Sequence, residues 1–384
     1  METPVASGRS PLPTATCDLP TRSSAPVATL RPEQSSRPAS LPGLAGRSSH
    51  AGLLLLLAVA LAASILLSLS IGAVPIRPAE LFQAAFTPHH LPAIERLILL
   101  QIRLPRILAS AVVGASLSVS GLLFQGLFRN PLADPYVIGA SGGSVVGASL
   151  GIFLVTQTSI FGFSATALLA FAGSVLTMII VYAVAQTSGR TNVVTLLLAG
   201  FAISTMLSNS TYFFEVLDTS SGTGTRVLIS WLHGVISTPG WSELGLTSGL
   251  LALGVIVSFP LMRRLDTLAL GDEYAHQLGL HVEGTRIGII LIGSLLTAIA
   301  VALGGLISFA GLIVPHIGRL LLGPDNTRLL PVTALAGAIF LVVADTLART
   351  LLAPSEIPVG ILMALVGGPF FLYLLRRSRR SYAV

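Results

Sequence analysis

The chain has 384 residues, 53% of them hydrophobic and 10% charged, with a mean hydropathy of +0.85. A soluble domain carries about 25% charged residues, so this composition cannot cover a soluble surface and implies a polytopic membrane protein. The formal net charge is +6 and all 22 basic residues are arginine. Such an excess marks the cytoplasmic loops of a membrane protein rather than a nucleic-acid surface.

Residues 1–50 hold 8 Pro, 9 Ser and 5 Arg. They are too polar to offset their ordering entropy, and a disordered cytoplasmic tail is predicted. A transit peptide or a misplaced start codon are the alternatives. Cys17, the single cysteine, excludes an intrachain disulfide and a cysteine-based metal cluster.

Beyond the tail, apolar segments of about 20 residues are long enough to cross a hydrocarbon core about 30 Å thick. Each must be a helix, because lipid satisfies no backbone polar group. Ala51–Ala73 is the first span, and Pro75–Glu95, with Arg77, Glu80, His89 and His90, reads as an external loop. The second span, Ile107–Phe128, follows Arg103 and Arg106 and carries Gly114, Ser116, Ser118, Ser120 and Gly121. Small residues let helices approach closely in lipid, so this segment is expected to be a packed central helix.

A polar break, Arg129–Pro135, comes next. Pro135–Gly189 then runs charge-free for 55 residues, enough for two spans with a turn near Gln157–Phe163. Thr191–Phe214 is the fifth span, Glu215–Glu243 a second external region, and Leu244–Met262 the sixth span. The charged internal stretch Arg263–Arg286 precedes Ile287–Gly318, which gives two spans joined at Gly304-Gly305. Leu329–Ala348 and Ile357–Leu375 complete an all-α permease domain of ten transmembrane helices over 51–380. With the tail, the even-numbered loops and the C-terminus inside, arginines divide 16 inside to 6 outside. That bias puts both termini in the cytoplasm of a plasma-membrane protein.

Asp345 and Arg349 are four residues apart, hence on one helix face. They form either a local ion pair or, through Arg349, part of an external mouth. Arg103, Arg106 and Arg349 all fall on the external side. Their forked donors suit the carboxylates of a docking protein; interfacial arginines reaching toward water are the alternative. Asp272–Leu278 is expected to form a short amphipathic helix stopped by Gly279, with Leu278 and Leu280 as apolar contacts. It either docks in a groove on another protein or lies as a solvated loop on the membrane.

His276, His281 and Glu283 share one loop but fit no metal template, and no phosphate loop or catalytic constellation is visible. The spacing of Gly114 and Gly121 recurs in Gly304 and Gly311, which reads as chance rather than as a repeat. Most charges fall at span ends. That argues against the rival reading, an ion-coupled secondary carrier, which needs an ionisable group at mid-membrane. A structural or assembly protein is a third reading.

The motifs are similar to one known family, the permeases of iron-siderophore and vitamin B12 ABC importers. The resemblance rests on Arg103-Leu-Pro-Arg106, the glycine–serine helix, Asn130-Pro131-Leu132-Ala133-Asp134-Pro135 and Gly139-Ala-Ser-Gly-Gly143. It extends to Leu268-Ala-Leu-Gly-Asp272 with Ala275-His-Gln-Leu-Gly279, Phe309-Ala-Gly-Leu-Ile-Val-Pro-His316 with Arg319, and Glu356-Ile-Pro-Val-Gly360 with Gly367-Gly-Pro-Phe370. It covers about residues 51–380. The resemblance implies a type II importer permease without enzymatic activity or cofactor of its own. ATP-Mg would bind two cytoplasmic ATPases, and the permease would pair with itself or a related chain. An external binding protein would deliver a ferric siderophore, or alternatively B12 or haem.

By motif position, Arg103, Arg106 and Arg349 would meet the binding protein. Asn130, Pro131 and Leu132, with Asn192, Val193, Val194 and Thr195, would form the cytoplasmic gate, although the family's small hydroxyl residues appear here as Asn-Val-Val. The coupling helix would span about Leu270 to Leu280, through Leu270, Gly271, Asp272, Glu273, Ala275, Gln277, Leu278 and Gly279.

Overall fold

A computed structural model describes residues 47–72, 93–154, 159–160, 163–187, 190–216 and 222–379. Most of the tail expected over 1–50, most of the loop at Pro75–Glu95 and part of the turn at Gln157–Phe163 lie outside them. The described residues are helical apart from connections and two antiparallel pairs of two-residue strands, at 159–164 and 186–191.

Helix α1 is Arg47–Ser70, so it starts inside the stretch read as tail. Helix α2 is Ala93–Leu127, which begins 14 residues before the predicted start at Ile107. Then come α3 (Ala140–Phe153), α4 (Ala165–Ala185), α5 (Val193–Val216) and α6 (Thr223–Leu232). Helix α7 is Trp241–Leu268, α8 is Asp272–Gln277 and α9 is Val282–Gly304. The chain closes with α10 (Ala310–Leu322), α11 (Asn326–Thr350) and α12 (Val359–Arg379). Seven of these are long and apolar enough to span a membrane: α1, α2, α4, α5, α7, α9 and α11. Helices α3, α10 and the apolar part of α12 occupy the other three predicted spans but are shorter.

Two boundaries move for physical reasons. Arg103 and Arg106 lie within α2, not in front of it. Residues Ile98–Arg103 form a π-helical turn just before Pro105. Proline lacks an N–H and clashes with the carbonyl four residues back, and a wider turn accommodates it without ending the helix. The region expected as a loop over Glu215–Glu243 holds α6, whose apolar side packs inward at Leu228.

Helix α2 is the axis of the fold. Of its most apolar stretch 89% is buried, against 11% for α1 and α5, and α7, α9, α10 and α11 pack round it. Its small residues set the distances. A Cβ on Gly121 would overlap the carbonyl of Gly311 on α10, and one on Gly114 the carbonyl of Gly337 on α11. Gly121 and Gly311, noticed only as an echo in spacing, are thus facing members of one helix crossing. A second group, α3, α4 and α5, packs together and joins the first through α9.

The short helices have a common cause. After Phe128 the chain turns back into the bundle, and Pro135 lies beside Leu117 and Gly311. Leu117 is ten residues, or about 15 Å, from the end of α2. Helix α3 therefore starts at mid-depth, and α10 does likewise. Non-helical backbone at that depth is tolerated only inside protein with its polar groups satisfied. Asp134 accepts a hydrogen bond from the N–H of Tyr136 at 2.9 Å. The Tyr136 hydroxyl accepts from Ile307 N–H at 3.2 Å, and Gln125 Nε2 donates to the Leu312 carbonyl at 3.1 Å. Asp134, read as part of a polar break beyond the span, is therefore an interior tie.

Candidate functional site

The sequence-predicted residues gather at opposite ends of α2, whose stretch from Arg106 to Phe128 is about 33 Å long. At the first end, Asp345 is buried and accepts from two arginines: Arg106 Nη2 to Oδ1 at 3.1 Å and Arg349 Nε to Oδ2 at 3.0 Å. Arg106 Nη1 also meets Glu356 Oε2 at 2.7 Å. Arg349 donates to Ser68 Oγ at 2.8 Å and Arg103 to the Leu69 carbonyl at 3.0 Å. The three predicted arginines are thus brought together, but Arg103 and Arg349 turn inward and tie α1, α2 and α11 to one another. The members that reach solvent are Glu356, whose side chain is 51% exposed, and Arg106, at 15%. The i, i+4 spacing disclosed Asp345–Arg349. Nothing in the sequence disclosed Glu356 as a partner 250 residues from Arg106.

At the other end, α8 forms where the short helix was expected. Gly271 and Gly279 bracket it at φ +118° and +81°, values that cost an L-residue about 1–2 kcal/mol. The C-terminus is a Schellman motif: Gly279 N–H bonds the His276 carbonyl and Leu280 N–H the Ala275 carbonyl. Ala275 is fully buried against the bundle. Leu270, Tyr274 and Leu278 are all exposed at 64%, 66% and 68%. Residues four apart share a helix face, so Tyr274 and Leu278 at the end of α8 form an apolar stripe presented outward, with Leu270 exposed just ahead of the non-helical Gly271. Tyr274 belongs to the stripe and was missed, though its spacing from Leu270 and Leu278 is legible. Leu280, by contrast, packs onto the core.

The two predicted gate segments flank α8. Asn130 lies just past α2, exposed like Pro131, and its Oδ1 accepts Leu132 N–H at 3.0 Å. Asn192 caps α5 by accepting from Val194 and Thr195 N–H at 2.9 and 3.1 Å. Asn192 thus serves as the helix cap that a small hydroxyl residue there would also provide. A short polar side chain at an N-cap satisfies amides that have no intrahelical partner.

A cleft of about 910 Å³ runs beside α8, lined by Asp272, His276, His281, Glu283 and Arg286 together with the apolar Leu280 and Val282. His281 in it is a capping residue, whose Nδ1 accepts Gly284 N–H at 3.0 Å at the start of α9. Among the described residues no group of three His, Asp or Glu side chains is placed to hold a metal.

The whole of this scaffold matches known proteins. A family model described as the FecCD transport family covers residues 56–377. The chain belongs to the FecCD transport family. It is 40% identical over 305 residues to a cobalamin import system permease of Halobacterium salinarum, covering 79% of this chain and 80% of that one. It is 39% identical to a hemin transport system permease of Yersinia pestis, over 74% of this chain and 84% of that one. It is 38% identical to an Fe(3+) dicitrate transport system permease of Escherichia coli, over 85% of this chain and 99% of that one. A solved inward-facing metal-chelate type ABC transporter superposes with a TM-score of 0.72 at 32% identity, covering 85% of this chain and 99% of that one. As a FecCD permease the chain is an all-helical, multi-span subunit of a type II ABC importer. It is non-catalytic, and works with an ATPase that binds ATP and with a binding protein.

Proposed function

We propose that this FecCD permease carries a ferric siderophore or related iron chelate across the plasma membrane, with both termini in the cytoplasm. Iron chelates recur among the relatives' names, in iron(3+)-hydroxamate and Fe(3+)-citrate permeases besides the dicitrate protein. Haem and cobalamin, carried by other relatives, are the alternative cargoes. The pathway lies at the interface of two permease copies, or of this chain and a related one.

The observation that carries the mechanism is α8. A six-residue helix anchored by Ala275 and bearing an outward apolar stripe suits a groove on an ATPase. ATP binding would draw two such helices together, and the adjoining segments Asn130–Leu132 and Asn192–Thr195 would open or close the inner mouth. At the opposite end a binding protein would present carboxylates to the arginine cluster, entering through Arg106, the member nearest the surface.

The test is reconstitution in liposomes with the cognate ATPase and binding protein, offering radiolabelled ferric hydroxamate, ferric citrate, hemin and cobalamin in turn. ATP-dependent uptake of a ferric chelate alone is the expected result. Preference for hemin or cobalamin would replace the cargo, and uptake driven by an ion gradient without ATP would overturn the importer.

A further inference from the structure

Asp272, at the first turn of α8, accepts from two arginines on two other elements. Oδ1 takes Arg129 Nη2 at 3.1 Å, and Oδ2 takes Arg286 Nη2 at 2.5 Å. Arg129 lies two residues past the end of α2 and immediately precedes the first gate segment at Asn130; its Nη2 also reaches the Leu268 carbonyl at the end of α7. Arg286 stands near the start of α9, one turn after Glu283, and its Nη1 donates to the Thr191 carbonyl at 3.3 Å, one residue before the second gate segment. Glu283 accepts from both the N–H and the hydroxyl of Thr191. Through Asp272, a displacement of α8 thus has a bonded route to each gate segment.

Arg129 carries a second signal. It occupies the C′ position of a Schellman motif at the end of α2: Arg129 N–H bonds the Gly126 carbonyl and Asn130 N–H the Gln125 carbonyl. Its φ is +49°. That position favours glycine, and an arginine held there at a cost points to a use for its side chain. Arg129 and Asp272 are half-exposed while Arg286 is mostly covered, so the net stability of the Arg129 pair is small. The value of the two pairs is directional, because a guanidinium fork fixes two partners at once.

We propose that Asp272, Arg129 and Arg286 form the linkage that transmits motion of α8 to both gate segments. This rests on the importer reading above. Arg129 and Arg286 are positioning residues, and neither lies on the outward stripe of α8.

The experiment uses the full permease–ATPase complex with Cys17→Ser and Val194→Cys, labelled by a polar maleimide with and without ATP-Mg. In the parent, ATP should change the labelling rate of position 194 severalfold. In Arg286→Gln, and separately in Arg129→Gln, the ATPase should still co-purify and hydrolyse ATP, while the ATP-dependent change in labelling falls to less than a third of the parent's. An unchanged ATP response in both variants would overturn the linkage. Loss of the ATPase from the variants would also overturn it, making the arginines part of the dock. A parent with no ATP response would instead remove the gate assignment on which the linkage depends, and would appear before any variant is compared.

Discussion

At the residue scale, this protein is governed by close approach and by shared charge. Gly121 admits the α10 backbone where no side chain fits, so Gly121→Ala overpacks the crossing. Overpacking costs about 1–3 kcal/mol, and a lower melting temperature in detergent is expected. Gly52→Ala, at a glycine with no atom within 4 Å of its would-be Cβ, should leave the midpoint unchanged or slightly higher. Asp345 poses the electrostatic counterpart. Asp345→Asn leaves Arg106 and Arg349 facing a neutral group in a buried site. Breaking a buried pair on one side costs about 3–5 kcal/mol. Asp345→Leu combined with Arg349→Met removes the buried Asp345–Arg349 pair as a unit, leaves Arg106 with Glu356, and should cost less than Asp345→Asn alone. A thermal-unfolding comparison of the two variants reads the difference, and equal losses would deny the ion pair its structural role.

At the scale of elements, α8 divides anchoring from presentation within six residues. Tyr274→Asp and Leu278→Asp alter only the exposed stripe and should leave thermal stability unchanged. Co-purification of the ATPase should fall at least tenfold if the stripe is the dock. Ala275→Leu should do the reverse, lowering stability first, because its position has no free volume toward the bundle. Helices α3 and α10 show a different economy. They start at mid-depth because Asp134 and Tyr136 supply partners to backbone that lipid would leave bare. The same arrangement answers the ion-coupled rival. A mid-depth acid does exist, but it is committed to the Tyr136 N–H.

At the scale of the whole molecule, the first described helix begins at Arg47 and the family match at residue 56. Deleting residues 1–42 should therefore leave both the melting temperature and reconstituted uptake unchanged, and a loss of uptake alone would give the tail a transport role. Helix α5 exposes Leu198, Phe201, Met206 and Phe213 along its length. That face is available to lipid or to a second permease, as a pathway between two copies requires.

Several of these features were legible in the amino-acid sequence. Hydropathy located the ten apolar segments, because the energetics of crossing lipid are local and depend on composition. The amphipathic stretch Asp272–Leu278 and the stop at Gly279 announced α8, because a helix stop is written in adjacent residues. Family motifs then identified the permease. Only the tertiary structure decided where Arg103 and Arg349 face, that Asp134 is interior, and that Asp272 is shared by Arg129 and Arg286. Those facts depend on contacts between residues distant in the chain, such as the 143 positions separating Arg129 from Asp272. No one-dimensional period encodes such a pairing, since it follows from how helices cross, and the crossings are set by which small residues let two backbones meet.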